Sequence, residues 1–299
     1  MRCAAAFCLA ACLIAAGCGG SSSAKEEPDA GTLEALWRAP GEDVAIIPGG
    51  ADFGPGPVRL TFLVVDGQGR VVTRPTARIW LARALKARPF AQTTARSERI
   101  GVEGSDPAEV QSVFVARLQL QKPGTYWLLA EPVGGKKIQA LGNVVVKAKT
   151  TAPDIGDPAP PSETPTLGTS ALKQVTTSRV PDRELYRDSI AGSLRDHAPF
   201  VVVFATPAYC TSRTCGPVVD VVSTVRRRLA GSAIRFIHVE IYEDNDPTKG
   251  ENRWVKNEWK LPSEPWVFLV GADGKIRDRF EGPVSVRELE AAVKRSLLR

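Results

Sequence analysis

The sequence predicts two folded units, an all-β sandwich over residues 35–150 followed by an α/β unit over 166–299. Three observations carry that reading. The chain has 299 residues, more than one compact unit of ordinary size requires. Short alternating strands with regularly spaced turns fill the first stretch, with no long helical period among them. Beyond a proline-rich segment the pattern changes to continuous apolar runs alternating with amphipathic stretches, the signature of buried strands and helices.

Composition narrows the class further. At 43% hydrophobic and 24% charged, with 26 Gly and 23 Pro, the chain is globular, which excludes collagen-like, coiled-coil and wholly disordered architectures. The formal net charge of +6 is spread along the chain without a concentrated basic footprint, so no nucleic-acid partner is expected. Only one stretch, at the N-terminus, is apolar enough to meet a bilayer, which excludes a multi-span membrane protein.

That stretch reads as an export signal. Arg2 supplies the positive charge, Cys3 through Ala16 form the apolar run, and Ala15-Ala16-Gly17-Cys18 precedes a Gly/Ser tether. Small residues ending in Cys resemble a bacterial lipoprotein signal, although Ala15 stands where a larger aliphatic is usual. The resemblance implies a signal peptide over 1–18, lipidation of Cys18, a flexible tether over 19–34, and a lipid-anchored protein on the extracytoplasmic face of the cell membrane. An ordinary cleaved signal is the other reading, and it too exports the chain. Of six Cys, three leave with the signal and Cys18 carries the anchor. Cys210 and Cys215 remain, and in an oxidising compartment a disulfide between them is the default.

In the first unit, Val58–Asp66 leads into the turn Asp66-Gly67-Gln68-Gly69, and Ala77–Leu85, Gln111–Gln121, Thr125–Glu131 and Gly142–Lys149 are further strands. Pro123-Gly124-Thr125-Tyr126 resembles the strand entry of immunoglobulin-like domains, which implies an immunoglobulin-like sandwich. No catalytic constellation stands out here, so a spacer or docking role is expected. The segment 151–165, with five Pro, is either a semi-rigid linker or a strap laid along one domain.

In the second unit a helix is expected from Pro181 to Asp196, then a strand at Phe200–Ala205, a helix from Pro217, and a strand at Ala233–Tyr242. A short helix at Asn252–Lys260, the hairpin of Trp266–Val270 with Lys275–Phe280, and a helix at Ser285–Leu298 follow. Ser285 with Glu288 three residues on forms a capping box for the last of these.

Particular residues give this order its meaning. Phe204-Ala205-Thr206-Pro207-Ala208-Tyr209-Cys210, Gly216-Pro217, and Pro265 ahead of Trp266–Val270 with Asp273-Gly274-Lys275 resemble the thioredoxin superfamily. The resemblance implies a thioredoxin-like fold and a thiol-disulfide oxidoreductase acting on exported protein thiols or disulfides without an added cofactor. In family terms Tyr209, Glu264 and Pro265 would line the substrate side, with Pro265 in the cis form. A thiol at a helix N-terminus is stabilised as thiolate, and Arg213 adds positive charge.

The departures are informative. Four residues, Thr211-Ser212-Arg213-Thr214, separate the cysteines instead of two. Strand spacing from Phe204 makes Cys210 the attacking sulfur and Cys215 the resolving one, whereas counting back from Gly216-Pro217 reverses this. The weight falls on Cys210. The stretch Val201-Val202-Val203 carries no acid where thioredoxins bury an Asp, so Glu264 is a substitute proton acceptor or a surface carboxylate. The competing function is a non-catalytic interaction module with a structural disulfide. His197 and His238 raise a copper-delivery protein as a further alternative, but the cysteine spacing disfavours it and no metal is expected.

Overall fold

The computed structural model describes residues 28–298 apart from 43, 103–109, 135, 136, 138 and 211–213. The expected signal peptide, Cys18 and Arg213 lie outside the described residues.

Seven strands build the N-terminal unit: β1 (Val44–Pro48), β2 (Gly56–Asp66), β3 (Thr76–Ala82), β4 (Ala91–Arg99), β5 (Ser112–Leu120), β6 (Gly124–Pro132) and β7 (Ala140–Val146). They run in the order β1-β2-β5-β4-β3-β6-β7 and close into a barrel. The expected immunoglobulin-like sandwich of two separate sheets is thereby corrected. The β3–β4 hairpin stays paired from Thr76↔Arg96 to Leu81↔Ala91, and Ala45↔Leu141 joins β1 to β7. Among the described strands of this unit none is left as the open edge that two stacked sheets would have. Inward residues such as Leu60, Phe62, Ile79, Phe114, Leu118, Leu128 and Val144 fill the interior, alternating along each strand with outward ones. At the start of β6, the buried Tyr126 donates its hydroxyl proton to the Lys122 carbonyl at 2.8 Å. The flexible tether expected up to residue 34 ends earlier: Thr32 caps a short helix α1 (Leu33–Arg38), and Leu33 is fully buried against Ala82 and Leu129.

The C-terminal unit has a four-stranded sheet in the order β11-β10-β8-β9. Its strands are β8 (Phe200–Phe204), β9 (Arg235–Val239), β10 (Trp266–Val270) and β11 (Ile276–Glu281). β8 runs parallel to β9 and antiparallel to β10. Every residue of β8 and β10 is buried, because helices cover both faces. On one face, α4 (Cys215–Arg228) and α5 (Val286–Leu297) pack Val218, Val221, Val222, Val225, Leu289 and Val293 onto the sheet. The other face holds α3 (Ile190–Arg195) and a π-helical turn at Trp254–Trp259. A further short helix, α2 (Leu172–Val175), precedes them. The helix expected over Pro181–Asp196 is divided into a 3₁₀ turn at Arg183–Tyr186 and α3, since Asp182 and Ser189 each cap a separate start.

Residues 151–165 lie along this unit. Ala152 and Ala159 belong to its core, Ala159 N–H bonds the Gly274 carbonyl at 2.9 Å, and Trp259 Nε1 donates to Ser162 Oγ at 3.1 Å.

The two units meet across a polar seam. Arg59 of β2 forks onto Glu288 at 2.8 and 2.7 Å and also donates to the Pro283 carbonyl at 2.8 Å. Both side chains are below 10% exposed, at 9% and 8%. Glu98 receives Ser285 Oγ at 3.0 Å and pairs with Arg287. Asp52, fully buried as a side chain, holds Lys147 and Arg279. Burial alone would raise the Asp52 carboxyl; the Lys147 ammonium, the Thr151 and Ala152 N–H groups and the Arg279 charge together hold it below the usual range. Gly282, at φ 74°, lets the Gly49 carbonyl approach where a β-carbon would collide.

Candidate active site

The apolar strand β8 ends at Phe204 and delivers Ala205-Thr206 to the C-terminal edge of the sheet, where ligand sites of open α/β sheets gather. The chain then runs through Tyr209 and Cys210 to α4. The helix begins at Cys215, two residues before the expected start at Pro217, so Cys215 occupies its first turn. There the unpaired N–H groups and the helix dipole favour negative charge on sulfur.

Cys210 and Cys215 form a disulfide with Cα atoms 5.9 Å apart. The two sulfurs are unequal. Cys215 is fully buried in the core beneath α4, whereas Cys210 is partly exposed and only flanks that core. From the barrel, Gly101 lies beside Pro217, and Val102 packs against the same core.

Across from the pair, Glu264 joins Pro265 by a cis peptide bond. The Glu264 carboxylate and both sulfurs lie within 4.8 Å of one another. Its carboxyl accepts from the Thr206 N–H, yet Oε2 is buried without a hydrogen-bond partner. Burial, opposed only by the Thr206 bond and reinforced by the charges of Glu240 and Glu251, pushes Glu264 up to about 7. Pro265 is buried and Tyr209 is 45% exposed, its ring 6.4 Å from that of Tyr242. Of the residues singled out from sequence, Cys210, Cys215, Glu264 and Pro265 converge, and Tyr209 stands at the rim.

Several neighbours give no signal in the sequence. Thr177 donates its N–H and hydroxyl to Glu240 Oε1 at 2.5 and 2.9 Å and accepts from Ala208 N–H at 3.1 Å, tying the cysteine loop to the end of β9. His238, which raises the copper alternative, is committed elsewhere. Its Nε2 faces the Ala205 carbonyl at 3.0 Å and its Nδ1 the Tyr186 hydroxyl at 2.8 Å. A carbonyl only accepts, so Nε2 carries the proton and Nδ1 receives the Tyr186 hydroxyl. Burial lowers the His238 pKa, which keeps the ring neutral. His197 is exposed in a turn at φ 51°. The usable clue is position: Glu240 and Tyr242 follow a buried strand whose C-terminal end faces the site.

The arrangement defines a class of site: a disulfide at a helix N-terminus, one sulfur open and one buried, with a carboxyl beneath it. No protein-family model and no curated protein matches the chain. Among solved structures, a thiol:disulfide interchange protein of the thioredoxin family from Chlorobium tepidum TLS is similar. It covers 48% of this chain and 99% of its own, at 16% sequence identity and a TM-score of 0.32. A likeness of that size carries no weight by itself, and the chemistry below rests on the geometry of the site.

Proposed function

We propose that the chain is an exported, lipid-anchored thiol-disulfide oxidoreductase exchanging disulfides with protein partners through Cys210 and Cys215. The observation that supports this most is the unequal exposure of the two sulfurs. A partner thiolate reaches Cys210 Sγ; a new S–S bond forms, the Cys210–Cys215 bond breaks, and Cys215 leaves as thiolate at the start of α4. A second partner thiol then attacks the partner's own sulfur of the mixed disulfide and releases Cys210. Two electrons pass from the partner dithiol to the protein disulfide, and the reverse sequence passes them from the protein's dithiol to a partner disulfide. On this reading Cys210 is the attacking sulfur of the reduced form. Tyr209, Glu264 and Pro265 form the wall along which the partner segment lies.

An anchor at Cys18 holds the site at the extracytoplasmic face of the cell membrane, with the barrel as spacer or docking module.

The burial of Cys215 in the core also favours a second reading, a fixed structural disulfide in a non-catalytic interaction module. Cysteine variants separate the two. Cys215→Ser is expected to trap mixed disulfides with exported proteins on a non-reducing gel, and Cys210→Ser to trap none. If both variants trap nothing and only lower the melting temperature, the exchange reading fails. A redox titration separates them as well: an exchanging pair titrates above about −300 mV, a structural staple below it.

A further inference from the structure

We propose that Glu281 is a positioning residue for the exchange, through which the barrel holds the cis-proline wall in place for a partner segment. The proposal rests on the exchange reading above and concerns the wall, not the sulfurs.

Glu281 ends β11, where it stands opposite Trp266 at the start of β10. Its carboxylate serves both units. Oε2 accepts the Ala51 and Asp52 N–H groups of the barrel at 2.9 and 2.8 Å. Oε1 accepts the Ser263 hydroxyl at 2.7 Å, and Ser263 Oγ in turn accepts Trp266 Nε1 at 3.1 Å. Ser263 and Trp266 stand on either side of the cis bond between Glu264 and Pro265, so these contacts bracket the wall.

The neighbouring residues add to the link. The Gly282 N–H donates to the Pro265 carbonyl at 2.9 Å, and a side chain at Gly282 would collide with the Gly49 carbonyl of the barrel. Arg59 of β2 donates to the Glu281 and Pro283 carbonyls at 3.4 and 2.8 Å.

The need for such an anchor follows from the backbone. Residues 260–265 belong to no helix or strand, so no ladder of their own fixes the approach to Pro265. Hydrogen bonds to an ionised carboxylate are about twice as strong as neutral ones, and here one carboxylate supplies three. Gly101 lies beside Pro217 and Val102 packs against the core that holds Cys215, so the barrel meets the helix of the site as well as its wall. That makes the barrel part of the scaffold of the site, which a spacer would not be.

The test compares two reductants of the oxidised full-length protein: an extended synthetic dithiol peptide, which lies along the wall, and dithiothreitol, which reaches Cys210 without it. Glu281→Ala should lower the second-order rate constant for the peptide by about 10-fold, short of the roughly 100-fold that a full ångström of misplacement costs, while the dithiothreitol rate stays within about 2-fold. Glu281→Gln should restore most of the peptide rate, since its amide oxygen still accepts the two N–H groups and its amide nitrogen donates to Ser263 Oγ. Gly50→Ala makes the test from the barrel alone, and carries it if Glu281→Ala does not fold. A β-carbon at Gly50 lies 2.8 Å from Glu281 Oε2 and displaces the carboxylate, so the same selective loss is expected. An unchanged peptide rate in either folded variant, or peptide and dithiothreitol rates that fall together, overturns the proposal while leaving disulfide exchange intact. So does an unmodified protein that dithiothreitol reduces and the peptide does not. A disulfide that resists both reductants, although the same protein is reduced in denaturant, removes the exchange reading as well.

Discussion

At the residue scale, the groups that do the chemistry and the groups that hold them in place differ in how they announce themselves. Cys210, Cys215 and Pro265 are legible because their neighbours follow a recognisable order. His238 is visible as a residue but not as a role. Its work is to bridge Tyr186 and the Ala205 carbonyl, a relation between three separate elements that no local spacing encodes. Replacing it by Phe fills the space yet strands both partners in the core. His238→Phe is expected to destabilise the protein by about 2 kcal/mol, read from urea denaturation, whereas a ring held only by packing would leave the midpoint in place. Thr177 and Glu240 are illegible for the same reason.

At the element scale, strands buried on both faces are the easiest to read, because an apolar run such as Phe200–Phe204 has few other uses. β1 and β4 carry no comparable signal. β4 reads Ala-Gln-Thr-Thr-Ala-Arg-Ser-Glu-Arg and buries only Ala95 and Glu98, so its pairing partners, not its own hydrophobicity, make it a strand. The capping box of α5 is legible from Ser285 and Glu288, and the structure keeps the cap bond, Glu288 N–H to Ser285 Oγ at 3.1 Å. What sequence conceals is that the Glu288 side chain turns outward to Arg59 and Arg117 of the barrel. One residue thus stands in the first turn of a helix and anchors the neighbouring unit. Arg59→Ala leaves Glu288 enclosed without its main partner and is expected to cost about 3 kcal/mol. Thermal melts should show the loss at high as well as low salt, because a pair this enclosed is little screened.

At the scale of the whole molecule, alternation and turn spacing establish the β character of the N-terminal unit, but closure into a barrel depends on long-range pairing of β3 with β6 and of β1 with β7. Composition alone does not distinguish a linker from a strap in the proline-rich segment. In the structure its alanines and Ser162 complete the hydrophobic floor under Trp259. A fragment starting at residue 166 is therefore expected to melt well below one starting at 150. Calorimetry of the two fragments checks this, and equal melting temperatures would show the segment to be dispensable.

The proline-rich stretch also bears on how this protein meets proteases. Its backbone is spent on bonds to Gly274 and Ile276, and a peptide bond must leave such a ladder before a protease can grip it. The stretch that composition marks as the natural place to cut is thus shielded by the very sheet that positions the cysteines, and loss of that shield reports on the integrity of the C-terminal unit itself.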